Sequence, residues 1–231
     1  MKAAIIAGGF GKRLRPLTLD RPKTLVEVGG KPIIQWQIEW LRKYRVDTIA
    51  VLAGYMKEKI IDFLGSGQRL GVNVVYVIEE EPLGTGGAIK NARGVLSNEI
   101  FVAVNGDIIT NIPVDKLVNE LLSSNALAVI ALVPLKSPYG IVEIDENGYI
   151  KSFREKPVLG DYLINAGVYA MKPQIFEYLP DKGDIERDTF PKLAKEGLLK
   201  GVVFRDVYWR AIDTVKDVEE VGRELEKGIL G

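Results

Sequence analysis

MKAAIIAGGFGKRLRPLTLDRPKTL, residues 1–25, opens with an unbroken apolar run and passes without a helix into a loop. The run Ala3–Ala7 shows no polar alternation, so it reads as a strand covered on both faces. Strands of that kind belong to parallel sheets sandwiched by helices. The loop behind it carries Gly8, Gly9 and Gly11, the basic residues Lys12, Arg13, Arg15 and Lys23, and Pro16 and Pro22. In open parallel sheets ligands bind beyond the carboxyl ends of the strands, which is where this loop falls.

The chain outside this stretch keeps the same grammar. Residues 32–44 have a helical apolar period, with Pro32 at the position favoured for starting a helix. A strand is predicted at 48–53, a helix at 56–65 closed by Gly65, a strand at 72–79 and a helix over 86–96. Next come a strand at 100–107 that ends in Asp107, a helix at 113–124 and a strand at 126–135. This βαβα succession of apolar strands predicts an α/β fold of Rossmann-like, doubly wound type: a mostly parallel mixed sheet in an α/β/α sandwich. Residues 139–153 alternate around Asn147-Gly148, a hairpin signal. A strand is expected at 165–171, helical segments at 173–179 and 187–197, a strand at 201–207 and a last helix at 215–228. With no linker, repeat or low-complexity segment, residues 1–231 read as one domain.

Composition excludes whole classes of chemistry. The chain has no Cys and no His, which removes thiol chemistry, disulfides, Cys- or His-bound zinc and any imidazole triad. Catalysis is left to carboxylates, Lys, Arg, hydroxyls, backbone amides and an oxygen-bound metal. Lys+Arg and Asp+Glu balance at 31 each, unlike the basic excess of nucleic-acid or membrane-surface binders. No apolar run reaches the roughly 18 residues of a membrane span. The first residues are too short and glycine-broken for a signal peptide, so the cytoplasm is expected.

The glycine loop matches neither common phosphate-binding pattern. Lys12 is followed by Arg13 where a P-loop has Ser or Thr, and Leu14 stands where the dinucleotide fingerprint needs Gly. The physics of both survives: glycines let the backbone approach an anion, successive amides form an anion nest, and Arg suits bidentate phosphate contact. The competing reading is a strand-to-helix turn with solvated basic residues. Asp107, at a strand's carboxyl end, is placed for Mg²⁺, which takes one or two carboxylates plus phosphate oxygens; the bland alternative is an Asx turn. Gly84-Thr85-Gly86-Gly87 opens a helix, and the acidic run Glu79–Glu81 either accepts from guanine N1 and N2 or is simply solvated.

Taken in order, these motifs resemble the sugar-1-phosphate nucleotidylyltransferases. The signature stands here as Gly9-Phe10-Gly11-Lys12-Arg13-Leu14, with Lys12 in place of the usual Thr, then Pro16-Leu17-Thr18 and Pro22-Lys23. EEEPLGTGGAIKNA (79–92), VNGDII (104–109), YGIVEID (139–145), REKP (154–157), NAGVY (165–169) and IERDTFP (185–191) follow in sequence. The combination looks most like guanylyltransferases for mannose or manno-heptose 1-phosphate, in the short form without a β-helix domain.

The resemblance implies substrates and roles. A nucleoside triphosphate, with GTP favoured, reacts with a sugar 1-phosphate in the presence of Mg²⁺. Ala7, Gly8, Gly9 and Gly11 hold nucleotide together with Glu79, Glu80, Gly84 and Thr85. Arg13 binds the departing phosphates, Lys23 the reacting ones and Lys156 the sugar phosphate. Gly140, Glu155, Asn165 and Gly167 line the sugar pocket, and a homodimer is compatible with the pattern. Pyrimidine-specific relatives share the loop and the Asp, so uridylyl or thymidylyl transfer stays open.

One position departs from the pattern. Relatives carry a second metal Asp in a stretch like WxDIGT; here Trp209-Arg210-Ala211-Ile212-Asp213-Thr214 puts Ala211 there. In an extended chain Asp213 shares a face with Ala211. Three readings follow: Asp107 and phosphates hold Mg²⁺ alone, Asp213 compensates, or the chain is a nucleotide-sugar-binding form without turnover.

Overall fold

The structure, a computed structural model, describes residues 1–230. Seven strands form the main sheet: β1 Lys2–Ile6, β2 Thr48–Ala53, β3 Asn73–Ile78, β4 Phe101–Asn105, β5 Ala128–Lys136, β6 Val158–Met171 and β7 Leu199–Val203. Their order is β7-β5-β6-β4-β1-β2-β3. The four strands β4, β1, β2 and β3 run parallel to one another, as does β7 beside β5. Only β6 is antiparallel to both of its neighbours. The expected mixed, mostly parallel sheet is therefore present.

The strands alternate between two apolar layers. On β1, Ala3 and Ile5 pack with α1 (Ile33–Arg42), α2 (Lys57–Leu64) and α5 (Val114–Leu122), through residues such as Ile38, Ile60 and Leu117. Ala4 faces the other way, into a layer with α3 (Gly84–Asn91), α4 (Arg93–Leu96) and α6 (Phe190–Lys195). A smaller cluster joins Leu14, Val28 and Ile212 to Val221 and Leu225 of α7 (Val215–Glu226). Helices on both faces explain why the central strands carry no polar alternation.

The chain reverses its direction of growth at β1. It adds β2 and β3 on one side and β4 on the other, and ligands bind at such a switch point. Ile6 is in register with Asn105, so the two strands end at one level and their loops leave side by side.

Several boundaries differ from the sequence reading. Strand β4 stops at Asn105, so Asp107 lies in the turn beyond it rather than on the strand. The helix expected over 86–96 begins at Gly84 and breaks at Ala92. Strand β6 begins at Val158, seven residues earlier than expected, because its first part pairs with the end of β5 across two register shifts. Residues 185–189 form a π-helical turn ahead of α6. Strand β7 runs over 199–203, and 209–211 makes a separate short strand paired with Ile108–Thr110.

Candidate active site

A cleft of about 410 Å³ opens at the switch point, a volume within the usual range for small-molecule sites. Its floor is the loop after β1. The Ala7 amide still bonds to Leu52 O at 2.8 Å, and then the chain leaves the sheet. Gly11 is left-handed at φ 59, and its carbonyl accepts from the Thr18 hydroxyl at 2.9 Å and from the Leu14 amide at 2.9 Å. Leu14 is fully buried and anchors the turn, which leaves Arg13 73% exposed at the cleft. Ala7, Gly8, Gly9, Gly11, Arg13 and Lys23 all line this space.

Lys23 is the hub of the charged groups. Its Nζ, on a side chain only 16% exposed, lies 2.7 Å from Asp107 Oδ2 and 2.8 Å from Asp213 Oδ1. Arg13 Nη2 is 2.9 Å from the same Asp213 oxygen. Asp107 is seated there by its neighbour. The Gly106 amide donates to Ile6 O at 3.0 Å, and a Cβ at 106 would lie 2.3 Å from that carbonyl oxygen. Only glycine lets the turn press this closely on the end of β1.

Asp213 reaches the site from the opposite direction. Ala211 ends the short strand and packs on the core, and the Ile212 amide donates to Asp107 O at 2.9 Å. Thr214 and Asp217 form a capping box at the start of α7, and Asp217 Oδ2 also accepts from the Asp213 amide at 3.1 Å. With Ala at 211, two carboxylates still flank Lys23, because Asp213 enters the cleft two residues later. That donor set fits Mg²⁺, which needs one or two carboxylates when phosphates supply further oxygens. Among the described residues no group of three or more Asp or Glu gathers to form an all-protein cage.

Of the three consecutive glutamates, one turns inward. Glu79 lines the cleft, and its Oε2 accepts from the Leu83 amide at 3.3 Å. It lies so close over the loop that a Cβ at Gly8 would be 1.8 Å from its Oε1. Burial pushes its carboxyl above the ordinary value. Glu80 does not enter the cleft; it is 85% exposed and paired with Lys57 at 3.0 Å. The strand ends at Ile78 and the chain bends at Glu80 and Glu81, which carries both side chains away from the cleft. Glu81 likewise pairs outward, with Lys182. Gly84 and Thr85 border the cleft where α3 begins.

The remaining candidates do not line the cleft: Gly140 precedes and Glu155 and Lys156 follow the hairpin Ile141–Ile144/Ile150–Arg154, and Asn165 and Gly167 lie on β6. Gly140 packs against Glu155, whose Oε2 would lie 3.0 Å from a Cβ at 140. Lys156 is 3.9 Å from Glu155 Oε1, is 46% exposed and holds φ 44. A left-handed lysine costs on the order of 1–3 kcal/mol, and such residues concentrate at functional sites. Asn165 Oδ1 accepts from the Gly167 amide at 2.8 Å, and Gly167 packs on Asn105. Asn105 Oδ1 and Thr24 Oγ1 line the same cleft, buried without a hydrogen-bond partner among the described residues. A buried acceptor left unpaired costs about 1–3 kcal/mol, so both are ready for a ligand's donors. The sequence reading did not single out Asn105 or Thr24, although both stand within quoted motifs; neither has a charge to draw notice.

The nucleotidyl transferase family profile matches residues 2–228. A probable mannose-1-phosphate guanylyltransferase 2 of Oryza sativa subsp. japonica is 35% identical over 226 residues, covering 94% of this chain and 62% of its own length. A UTP–glucose-1-phosphate uridylyltransferase of a Synechocystis strain is 33% identical over 237 residues, covering 94% of this chain and 61% of its own length. The crystal structure of HddC from Yersinia pseudotuberculosis complexed with GMP-PN superposes with a TM-score of 0.75 at 31% identity, covering 97% of this chain and 99% of that one. The chain thus spans somewhat less than two thirds of the length of these curated relatives.

Proposed function

The chain belongs to the nucleotidyl transferase family, and on that premise we propose that it transfers a guanylyl group from GTP to a sugar 1-phosphate of mannose or manno-heptose type, releasing pyrophosphate. The observation that carries this is Lys23, held between Asp107 and Asp213 at the switch point. A phosphate oxygen of the sugar 1-phosphate attacks the α-phosphorus in line; the new P–O bond forms as the α–β anhydride breaks. That oxygen is already anionic, so no general base is needed, which suits a chain without His or Cys. What remains is to gather repelling anions and neutralise charge in the transition state.

The residues divide that work. The amides from Ala7 to Gly11, with Gly84 and Thr85, hold the nucleotide. Arg13 takes the departing pyrophosphate. Lys23 exchanges its carboxylate partners for the reacting phosphate, while Asp107 and Asp213 would hold Mg²⁺, which would supply neutralisation of phosphate charge. Glu79 accepts from guanine N1 and N2, a role supported by its inward position and not shared by Glu80. Lys156 holds the sugar phosphate, and Glu155, Asn165, Gly140 and Gly167 border the sugar. The relatives' names and the nucleotide in the HddC complex support GTP; the Synechocystis relative keeps UTP as the second reading. Among the described residues no helix is long and apolar enough to cross a membrane, and we place the enzyme in the cytoplasm as one domain over residues 1–231, acting as a homodimer.

Pyrophosphate release with Mg²⁺, measured over a matrix of nucleoside triphosphates and sugar 1-phosphates, tests the assignment. GTP with a manno-configured 1-phosphate is expected to react fastest, and Asp107→Ala to abolish turnover. No turnover with any pair, followed by recovery in Ala211→Asp, marks a disabled catalyst and defeats the compensating role of Asp213.

A further inference from the structure

The motif IERDTFP supplies none of the groups assigned above, yet its π-helical turn, Ile185–Thr189, bonds through Glu186 to both α3 and β6. Single π-turns are rare and recur at functional sites. Here the turn delivers Glu186 to a chain of side-chain hydrogen bonds. Glu186 Oε2 accepts from the Thr85 hydroxyl at 2.6 Å, and its Oε1 accepts from the Tyr169 hydroxyl at 3.2 Å. Tyr169 in turn accepts from Asn165 Nδ2 at 2.9 Å, and Asn165 Oδ1 accepts from the Gly167 amide. Thr85 lines the cleft, while Asn165 and Gly167, proposed to border the sugar, lie on β6, where Gly167 packs on the cleft residue Asn105.

The polarity of this chain leaves no freedom. A carboxylate only accepts, so both hydroxyls must donate to it. Tyr169 then has only its lone pairs for Asn165, which turns the amide so that Oδ1 faces Gly167. Burial, and next the Glu186 carboxylate, push the Tyr169 phenol upward, so it keeps the proton it donates. The ring is fully buried and packs edge-on against Phe190 at 5.2 Å. The Thr85 hydroxyl also accepts from the Ile185 amide at 2.9 Å, so protein groups occupy its donor and an acceptor position. The Gly86 and Gly87 amides both donate to Gly183 O, which clamps the first turn of α3 to the same segment.

We infer that Glu186 and Tyr169 are positioning residues: a relay from Thr85 to Asn165 that fixes the sugar-binding strand in distance and hydrogen-bond polarity relative to the nucleotide-binding helix. The inference rests on the nucleotidyl-transfer reading. Neither side chain touches substrate; each acts through Thr85 or Asn165. The signature is a cross-effect, in which a change on the nucleotide side is felt by the sugar phosphate.

The test is steady-state kinetics with both substrates varied. Tyr169→Phe, which keeps the ring against Phe190, should raise KM for the sugar 1-phosphate about five- to tenfold, the worth of one buried hydrogen bond, with KM for GTP within twofold. Glu186→Gln, whose amide must donate where a hydroxyl now donates, should raise KM for the sugar 1-phosphate at least as much. Thr85→Val, nearly isosteric, should also raise KM for the sugar 1-phosphate, and Thr85→Ser should restore it. A core truncation remote from the relay, Ile60→Val, should lower the melting temperature without moving either KM. Wild-type turnover with unchanged sugar KM in Tyr169→Phe and Thr85→Val overturns the relay alone. A wild type that turns over no substrate pair overturns the transferase reading, and the relay with it.

Discussion

At Glu79 the proposed specificity has a measurable charge. Burial holds its carboxyl above the ordinary value of 4.5, whereas guanine donors favour the ionised form. GTP affinity should therefore fall as pH drops through the raised pKa, and bound GTP should shift that pKa down. Isothermal titration across acidic to neutral pH should show the fall in wild type and a flat profile in Glu79→Gln. The variant should bind GTP about tenfold or more weakly, since hydrogen bonds to a charged group contribute about 1.5–3 kcal/mol. The stability sign is opposite. A carboxyl raised in the folded state favours the protonated form, so stability declines as pH rises from 4.5 through the raised value. The ligand-free Glu79→Gln protein should lack that decline and melt slightly higher at neutral pH. A variant with wild-type affinity for GTP removes Glu79 as the base reader. Sequence pattern could name the acidic run but not choose within it, because the choice follows from which of three neighbouring side chains the strand end turns inward. For the same reason Glu186 was hidden: its role comes from contact with Thr85 and Tyr169, 101 and 17 residues away.

At the scale of elements, the position of Asp213 depends on how α7 begins. Asp217 Oδ2 gathers three donors: the Asp213 amide, the Thr214 amide and the Thr214 hydroxyl. Asp217→Ala releases all three and loosens the first turn of the helix. A lost cap costs about 1–2 kcal/mol, or roughly 3–6 °C in melting temperature at this chain length. Because Asp213 leaves its seat, the Mg²⁺ concentration for half-maximal turnover should also rise several-fold; an unchanged Mg²⁺ requirement would separate the cap from the site. Apolar periodicity made most of these elements legible, and the parallel strands, α1, α2, α5 and α7 lie within a few residues of expectation. It did not show the early start of β6, where Gly160 and Asp161 interrupt the apolar pattern and pairing with β5 is set by register shifts. Nor did it show the π-turn that carries Glu186 to Thr85 and Tyr169.

For the whole molecule, the hairpin beside the sugar side is an apolar surface with nothing over it. Val142, opposite Phe153, and Ile144, opposite Ile150, share one face, and all four are exposed. Tyr139, Tyr149 and Tyr162 are 66–75% exposed on or next to it. These three tyrosines and Phe153 together expose about 500 Å² of aromatic surface to solvent. The homodimer proposed above would use this face, and with charges balanced at 31 of each sign two copies meet without net repulsion. The hairpin runs directly into Glu155 and left-handed Lys156, both largely exposed, so a subunit packed on it stiffens the loop proposed to hold the sugar phosphate. Light scattering at tens of micromolar protein should give twice the mass calculated from the sequence. The double variant Ile144→Lys, Phe153→Ser should run as a monomer whose KM for the sugar 1-phosphate is raised, with KM for GTP kept. A wild type that stays monomeric at that concentration rules the interface out, and a monomeric variant with unaltered sugar KM separates assembly from the order of the Lys156 loop.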